Sequence, residues 1–136
     1  MTVDLHTWTR DWTAACPLSR LVPLRGVAVL LPDHAQVALF RLADDTLRAV
    51  GNIDPLGRAA VLSRGIVGDR GGFPVVASPL KKQAFSLLDG RCLDVDGVRI
   101  PVYGTRIGLD GMVYVANSPD IRFGYRRAPE PRGAAS

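Results

Sequence analysis

Four side chains in this chain of 136 residues have the chemistry to hold a soft metal ion: Cys16, Cys92, His6 and His34. Two thiolates with two imidazoles would supply the His₂Cys₂ set of an iron–sulfur centre. Their spacing does not gather them, because they run from position 6 to position 92 with no Cys-x-His or Cys-x-x-His anywhere. Both cysteines therefore read as small buried hydrophobes, Cys16 after Ala14-Ala15 and Cys92 before Leu93. Ser63 and Ser78 are distant in sequence from either imidazole, so no base is at hand to activate a hydroxyl. The run Gly65-Ile66-Val67-Gly68-Asp69-Arg70-Gly71-Gly72 has glycines enough to cradle a phosphate on backbone N–H groups, but no Lys-Ser/Thr ending and no helix after it. It reads as a tight turn, with Asp69 and Arg70 making local contacts of small worth. Asp44-Asp45 offers too few oxygens for calcium, and no Gly-x-Gly-x-x-Gly dinucleotide fingerprint is present.

The elements that would position these groups are strands and turns. Gly26–Leu31, Gln36–Leu42 and Leu47–Val50 are short apolar or alternating runs, separated by Pro32-Asp33 and Ala43-Asp44-Asp45 and closed by Gly51-Asn52. They predict a β-meander. Pro74–Ala77, Phe85–Leu87, Val98–Tyr103 and Met112–Val115 predict further strands, with turns at Asp89-Gly90 and Leu109-Asp110-Gly111. Helix is expected only over Leu5–Trp12, where Trp8 and Trp12 lie four apart, and briefly near Ala59–Ser63. The fold class is all-β, with short helical pieces only.

Composition narrows the function. Apolar content of 47% against 22% charged residues fits one globular domain and excludes disorder. The longest apolar stretch, Leu21–Pro32, contains Pro23 and Arg25 and is too short to span a bilayer. The start, with Asp4 and Arg10, lacks the apolar core of a signal peptide, so a cytoplasmic protein with free thiols is expected. Net charge is +4, but the Pro/Gly/Ala-rich segment 119–136 carries four Arg against Asp120 and Glu130. That leaves no basic stripe elsewhere, so no nucleic-acid partner is expected. Residues 1–118 read as a single domain and 119–136 as a basic tail.

Two loops rich in Pro and Gly remain, Asn52-Ile53-Asp54-Pro55-Leu56-Gly57-Arg58 and Ser78-Pro79-Leu80-Lys81-Lys82-Gln83, the second leading into Phe85. This order resembles the Rieske family, in which a Cys-x-His loop and a Cys-x-x-His loop hold a [2Fe–2S] cluster. With Phe85 set on the family's Phe, Ser78 falls where the second Cys belongs and Lys81 where the second His belongs. The first loop offers Asn52, Asp54, Pro55 and Gly57, with neither sulfur nor imidazole. The resemblance implies an antiparallel β-sandwich with a small inserted lobe at about 52–90 that carries the two former ligand loops. Within that family, Asn52–Pro55, Val61–Gly71, Val75–Leu87, Gly90–Asp94 and Val98–Tyr103 look like the small subunit of bacterial assimilatory NAD(P)H-dependent nitrite reductase.

This resemblance implies an oxidoreductase subunit with no cofactor, metal or catalytic residue of its own. FAD, sirohaem and a [4Fe–4S] cluster would sit on a large catalytic subunit that reduces nitrite to ammonium. The alternative is a Rieske-like protein-binding module of another reductase or oxygenase, also without a redox centre. Side chains alone do not relay electrons, which leaves docking as the contribution of this chain. Leu56 and Leu80 are the candidate anchors, rimmed by Arg58, Lys81, Lys82 and Gln83. The competing reading packs the two leucines together to fill the space a cluster would take.

Overall fold

The computed structural model describes residues 11–123, of which 11–122 carry described side chains. Strand β1 (Trp12–Pro17) is followed by the meander β2 (Gly26–Leu30), β3 (Gln36–Arg41) and β4 (Leu47–Gly51). The lobe then contributes a two-stranded pair, β5 (Ile53–Asp54) and β6 (Ala59–Ala60). It also contributes a three-stranded sheet of β7 (Ile66–Arg70), β8 (Phe73–Ala77) and β9 (Ala84–Ser86). The chain returns through β10 (Val102–Ile107) and β11 (Met112–Pro119). The main sheet runs β1-β11-β10-β4-β3-β2, antiparallel throughout.

Strand β3 shows why this sequence makes two layers. Successive side chains of a strand point to opposite faces. Val37 and Leu39 join Val29, Ala49, Tyr103, Val113 and Val115 on one face. Ala15 and Cys16 of β1 and Val27 of β2 reach the same cluster, so the two outer strands curl toward each other around it. Ala38 and Phe40 point the other way, with Val50 and Val102, against Leu62, Val76, Phe85 and Leu87 of the lobe. One strand buried on both faces thus joins the sheet's interior to the lobe.

The expected meander forms, and its two turns share one device with the β10–β11 turn. In the turns at Asp33, Asp44 and Asp110, a carboxylate oxygen accepts the N–H two residues on, each at 3.0 Å. Such Asx turns specify hairpins locally.

Three elements differ from expectation, while the expected helix Leu5–Trp12 lies outside the described residues except at its end, where Asp11 is helical and Trp12 opens β1 in register with Ala116. Gly65–Gly72 is not a turn along its length: Ile66–Arg70 pairs with β8, and only Gly71 and Gly72, at φ 59° and 88°, turn the chain. Near Ala59–Ser63, Ala59-Ala60 pairs with β5 and a 3-10 turn occupies Leu62–Arg64. The strand expected from Val98 begins at Val102, because Val98 and Ile100 are bonded back to Cys92 and Gly90 instead of joining the main sheet. Gly90, at φ 81°, accepts the Ile100 N–H at 2.9 Å, and a Cβ there would stand 2.0 Å from the Ile100 carbonyl oxygen.

Candidate functional site

The two loops singled out in the sequence meet. Asp54 ends β5 and Ser78 follows β8, and both are buried. The Ser78 hydroxyl donates to Oδ2 of Asp54, while Oδ1 accepts the N–H groups of Leu56 at 2.8 Å and Gly57 at 3.1 Å. Each loop closes on itself in the same way. The Arg58 N–H donates to the Asp54 carbonyl at 2.6 Å, and the Lys82 N–H donates to the Ser78 carbonyl at 2.9 Å. Arg58 and Lys82, the closing residues, both take positive φ, 60° and 66°. Ser78 Oγ also accepts the Leu80 N–H at 3.2 Å, as Asp54 accepts Leu56.

Burial alone would push the Asp54 carboxyl up. The hydrogen bonds from Ser78, Gly57 and Leu56, with the positive charge of Lys81, outweigh it and hold the group below the ordinary carboxylate range. A buried carboxylate that already accepts three hydrogen bonds inside the protein serves as a cross-link between the loops.

Asn52 fixes the first loop from behind. Its Oδ1 accepts the Ser63 N–H at 2.7 Å and its Nδ2 donates to Gln36 Oε1 at 3.3 Å. Its backbone N–H donates to the Gln36 carbonyl at 2.9 Å, and its carbonyl accepts from Leu62 at 3.0 Å. Buried side chains of this kind are retained when their hydrogen bonds are met.

The two candidate anchors part company. Leu56, expected as an exposed anchor, is half-buried against the core cluster that holds Val76 and Phe85. Leu80 is 49% exposed, and its Cδ1 lies only 2.7 Å from where a Cβ on Gly57 would stand. The leucine at the loop tip therefore occupies the space that any larger residue at position 57 would need. Arg58, Lys81, Lys82 and Pro55 are exposed around it, and Gln83 is half-buried with its Oε1 turned inward.

Donor chemistry decides whether a two-iron cluster fits. Such a cluster requires thiolates on one iron and thiolate or imidazole on the other. The positions facing the space between the loops offer a hydroxyl committed to a carboxylate, an exposed ammonium and a glycine covered by Leu80. These residues do not fit the group. Cys92 sits in the core cluster, Cys16 on β1 and His34 in the β2–β3 turn, while His6 lies outside the described residues. Among the described residues, no three His, Cys, Asp or Glu side chains gather as a metal site.

Sequence reasoning paired Arg70 with its neighbour Asp69. In the fold Arg70 instead makes a two-pronged ion pair with Asp94, at 2.7 and 2.9 Å, and Asp94 also accepts the Ala84 N–H at 2.8 Å. A contact across that separation leaves no local signal. Among the described residues, no helix is long and apolar enough to cross a membrane.

The Rieske-like [2Fe-2S] domain family matches residues 11–116. A crystal structure described as an NADH-dependent nitrite reductase small subunit, from Mycobacterium tuberculosis, is 56% identical, with a TM-score of 0.76 over 80% of this chain and 96% of that one. The nitrite reductase (NADH) small subunit of Escherichia coli K12 is 42% identical over 104 residues, 76% of this chain and 94% of that protein. The chain belongs to the Rieske-like nitrite reductase small-subunit family. A third relative is informative for its architecture. The nitrite reductase [NAD(P)H] large subunit of Klebsiella oxytoca is 38% identical over 109 residues, which are 80% of this chain but only 11% of that protein. In that relative a domain similar to this small subunit is covalently part of the large one.

Proposed function

We propose that this small subunit is a cofactor-free docking component of a cytoplasmic NAD(P)H-dependent nitrite reductase. It would bind a large catalytic subunit carrying FAD, sirohaem and a [4Fe–4S] cluster, on which nitrite is reduced to ammonium. The unit that docks is the Rieske-like domain, whose last strand runs to Pro119. The observation that supports this reading is the Asp54–Ser78 hydrogen bond, which ties the two loops together through a carboxylate and a hydroxyl where a two-iron cluster needs thiolates and imidazoles. The result is a tip that exposes the apolar side chain of Leu80 beside a rim of Arg58, Lys81 and Lys82, with Ile53 and Pro55 also exposed on the first loop. An apolar centre within a charged rim is the usual plan of a protein interface. The Klebsiella relative supports a lasting association, because there a similar domain shares one chain with large-subunit sequence. The test is a pull-down of purified large subunit by wild type and by Leu80→Asp and Lys81→Glu. Both variants are expected to lose most of the captured partner while keeping the wild-type circular dichroism spectrum. Undiminished capture by both folded variants would exclude the loop tip as the docking surface.

A further inference from the structure

A second surface lies away from the loop tips, where the main sheet meets the lobe. A cavity of about 580 Å³ opens there between Leu24-Arg25-Gly26, at the start of β2, and Ser63-Arg64-Gly65-Ile66, at the start of β7. Three of its properties point to one kind of occupant.

The first is charge. Arg25 and Arg64 both line the cavity and are exposed, and no carboxylate lines it with them. The second is apolar surface kept in water: Leu24 is 48% and Ile66 76% exposed. Leu24 is held this way at φ 69°, a conformation leucine disfavours, with its N–H donating to the Arg41 carbonyl at 2.6 Å. Strained exposure of this sort persists where the surroundings over-determine it, commonly at binding sites. The third is backbone. Strand β2 ends the main sheet and β7 ends the lobe's three-stranded sheet, so each has one side without a strand neighbour. An open strand edge is a template for an added extended segment.

The floor of the cavity is also fixed. A Cβ on Gly26 would stand 2.6 Å from the Ser63 carbonyl oxygen, so the main sheet and the lobe touch backbone to backbone there, and one on Gly65 would stand 2.5 Å from the Ala77 carbonyl oxygen, which fixes the start of β7 against β8 within the lobe. Both walls of the cleft are thus held in place, which lowers the cost of binding.

We propose that this cleft receives an extended acidic segment of the large subunit. Its carboxylates would pair with Arg25 and Arg64, an apolar side chain would lie between Leu24 and Ile66, and its backbone would run along the edge of β7. The inference rests on the reading that the large subunit is the partner, and it adds a contact separate from the loop tips. The experiment is a titration of purified large subunit with wild-type chain and with the Arg25→Glu/Arg64→Glu variant, by calorimetry, at low and high salt. The variant is expected to bind about tenfold more weakly or worse at low salt, with the gap narrowing at high salt. Equal affinity in a folded variant would overturn the cleft contact while leaving the partnership standing. No binding by wild type would overturn both. Should the double variant fail to fold, amide hydrogen exchange of the wild-type complex decides: protection of residues 66–70 on binding supports the contact, and unchanged exchange there overturns it.

Discussion

Ser78 and Asp54, separated by 24 residues in sequence, are joined by a buried hydrogen bond from the serine hydroxyl to the aspartate carboxylate. This bond turns two independent loops into one unit. Each loop is already shaped by the same residue that makes the bond, since Asp54 accepts from Leu56 and Gly57 and Ser78 accepts from Leu80. Removing the hydroxyl with Ser78→Ala leaves a buried charged oxygen short of a donor. Such a loss costs about 1–3 kcal/mol. Chemical denaturation should show a lower midpoint with an unchanged slope.

Acid should weaken the same link. The folded state holds the Asp54 carboxyl below its unfolded value, so the unfolded chain takes up that proton first as pH falls. The stabilisation is whole above the unfolded carboxyl range, near pH 3.9, and disappears as pH drops through the lower folded value. Asp54→Asn retains an acceptor for Leu56 and Gly57 but does not titrate. The stability gap between wild type and Asp54→Asn should stay constant above about pH 5 and change only below it. Denaturant midpoints measured between neutral and acid pH check this, and parallel curves throughout would refute it.

Gly57 and Leu80 should behave as a coupled pair. A Cβ at position 57 would meet Leu80 Cδ1 at 2.7 Å and Asp54 Oδ2 at 3.0 Å. The leucine tip can swing away, whereas the carboxylate is held. Gly57→Val should therefore destabilise by about 1–3 kcal/mol, as overpacking does, and Leu80→Ala in the same chain should recover part of that loss. A double-mutant cycle measures the recovery, and strict additivity would show that the two side chains do not share the space.

Gly90→Ala is the harshest glycine-to-alanine change expected among the described residues. The added methyl would stand 2.0 Å from the Ile100 carbonyl oxygen, at a φ of 81° that disfavours any side chain. Both the backbone clash and the left-handed strain fall on one residue, for a cost of about 3 kcal/mol or more. Loss of soluble expression, or a melting temperature far below wild type, is the expected result.

What the sequence could and could not reveal follows from range. The meander was legible because Pro32-Asp33 and Ala43-Asp44-Asp45 stop the strands, and because Val37–Phe40 is apolar at consecutive positions, as a strand buried on both faces must be. Strand β7 was not, since Gly65, Gly68, Gly71 and Gly72 carry a turn signature that pairing with β8 overrides. Strand β1 was hidden for a related reason: Ala14-Ala15-Cys16 has no alternation, and its partner β11 lies at the far end of the chain. At the site, Asn52, Asp54 and Ser78 stood out as positions without ligand chemistry. Their burial and the bond between Asp54 and Ser78 depend on packing across the lobe, which no local pattern encodes. The same limit hid the inward turn of Leu56 and the pairing of Arg70 with Asp94.

The most direct measurement is the iron content and visible absorption of this chain, expressed with an active iron–sulfur assembly system and purified without oxygen. If Asp54 and Ser78 close the loops upon each other, the protein will be colourless, with iron at background and no low-temperature paramagnetic signal after reduction. Two irons per chain with the spectrum of a [2Fe–2S] centre would contradict the account.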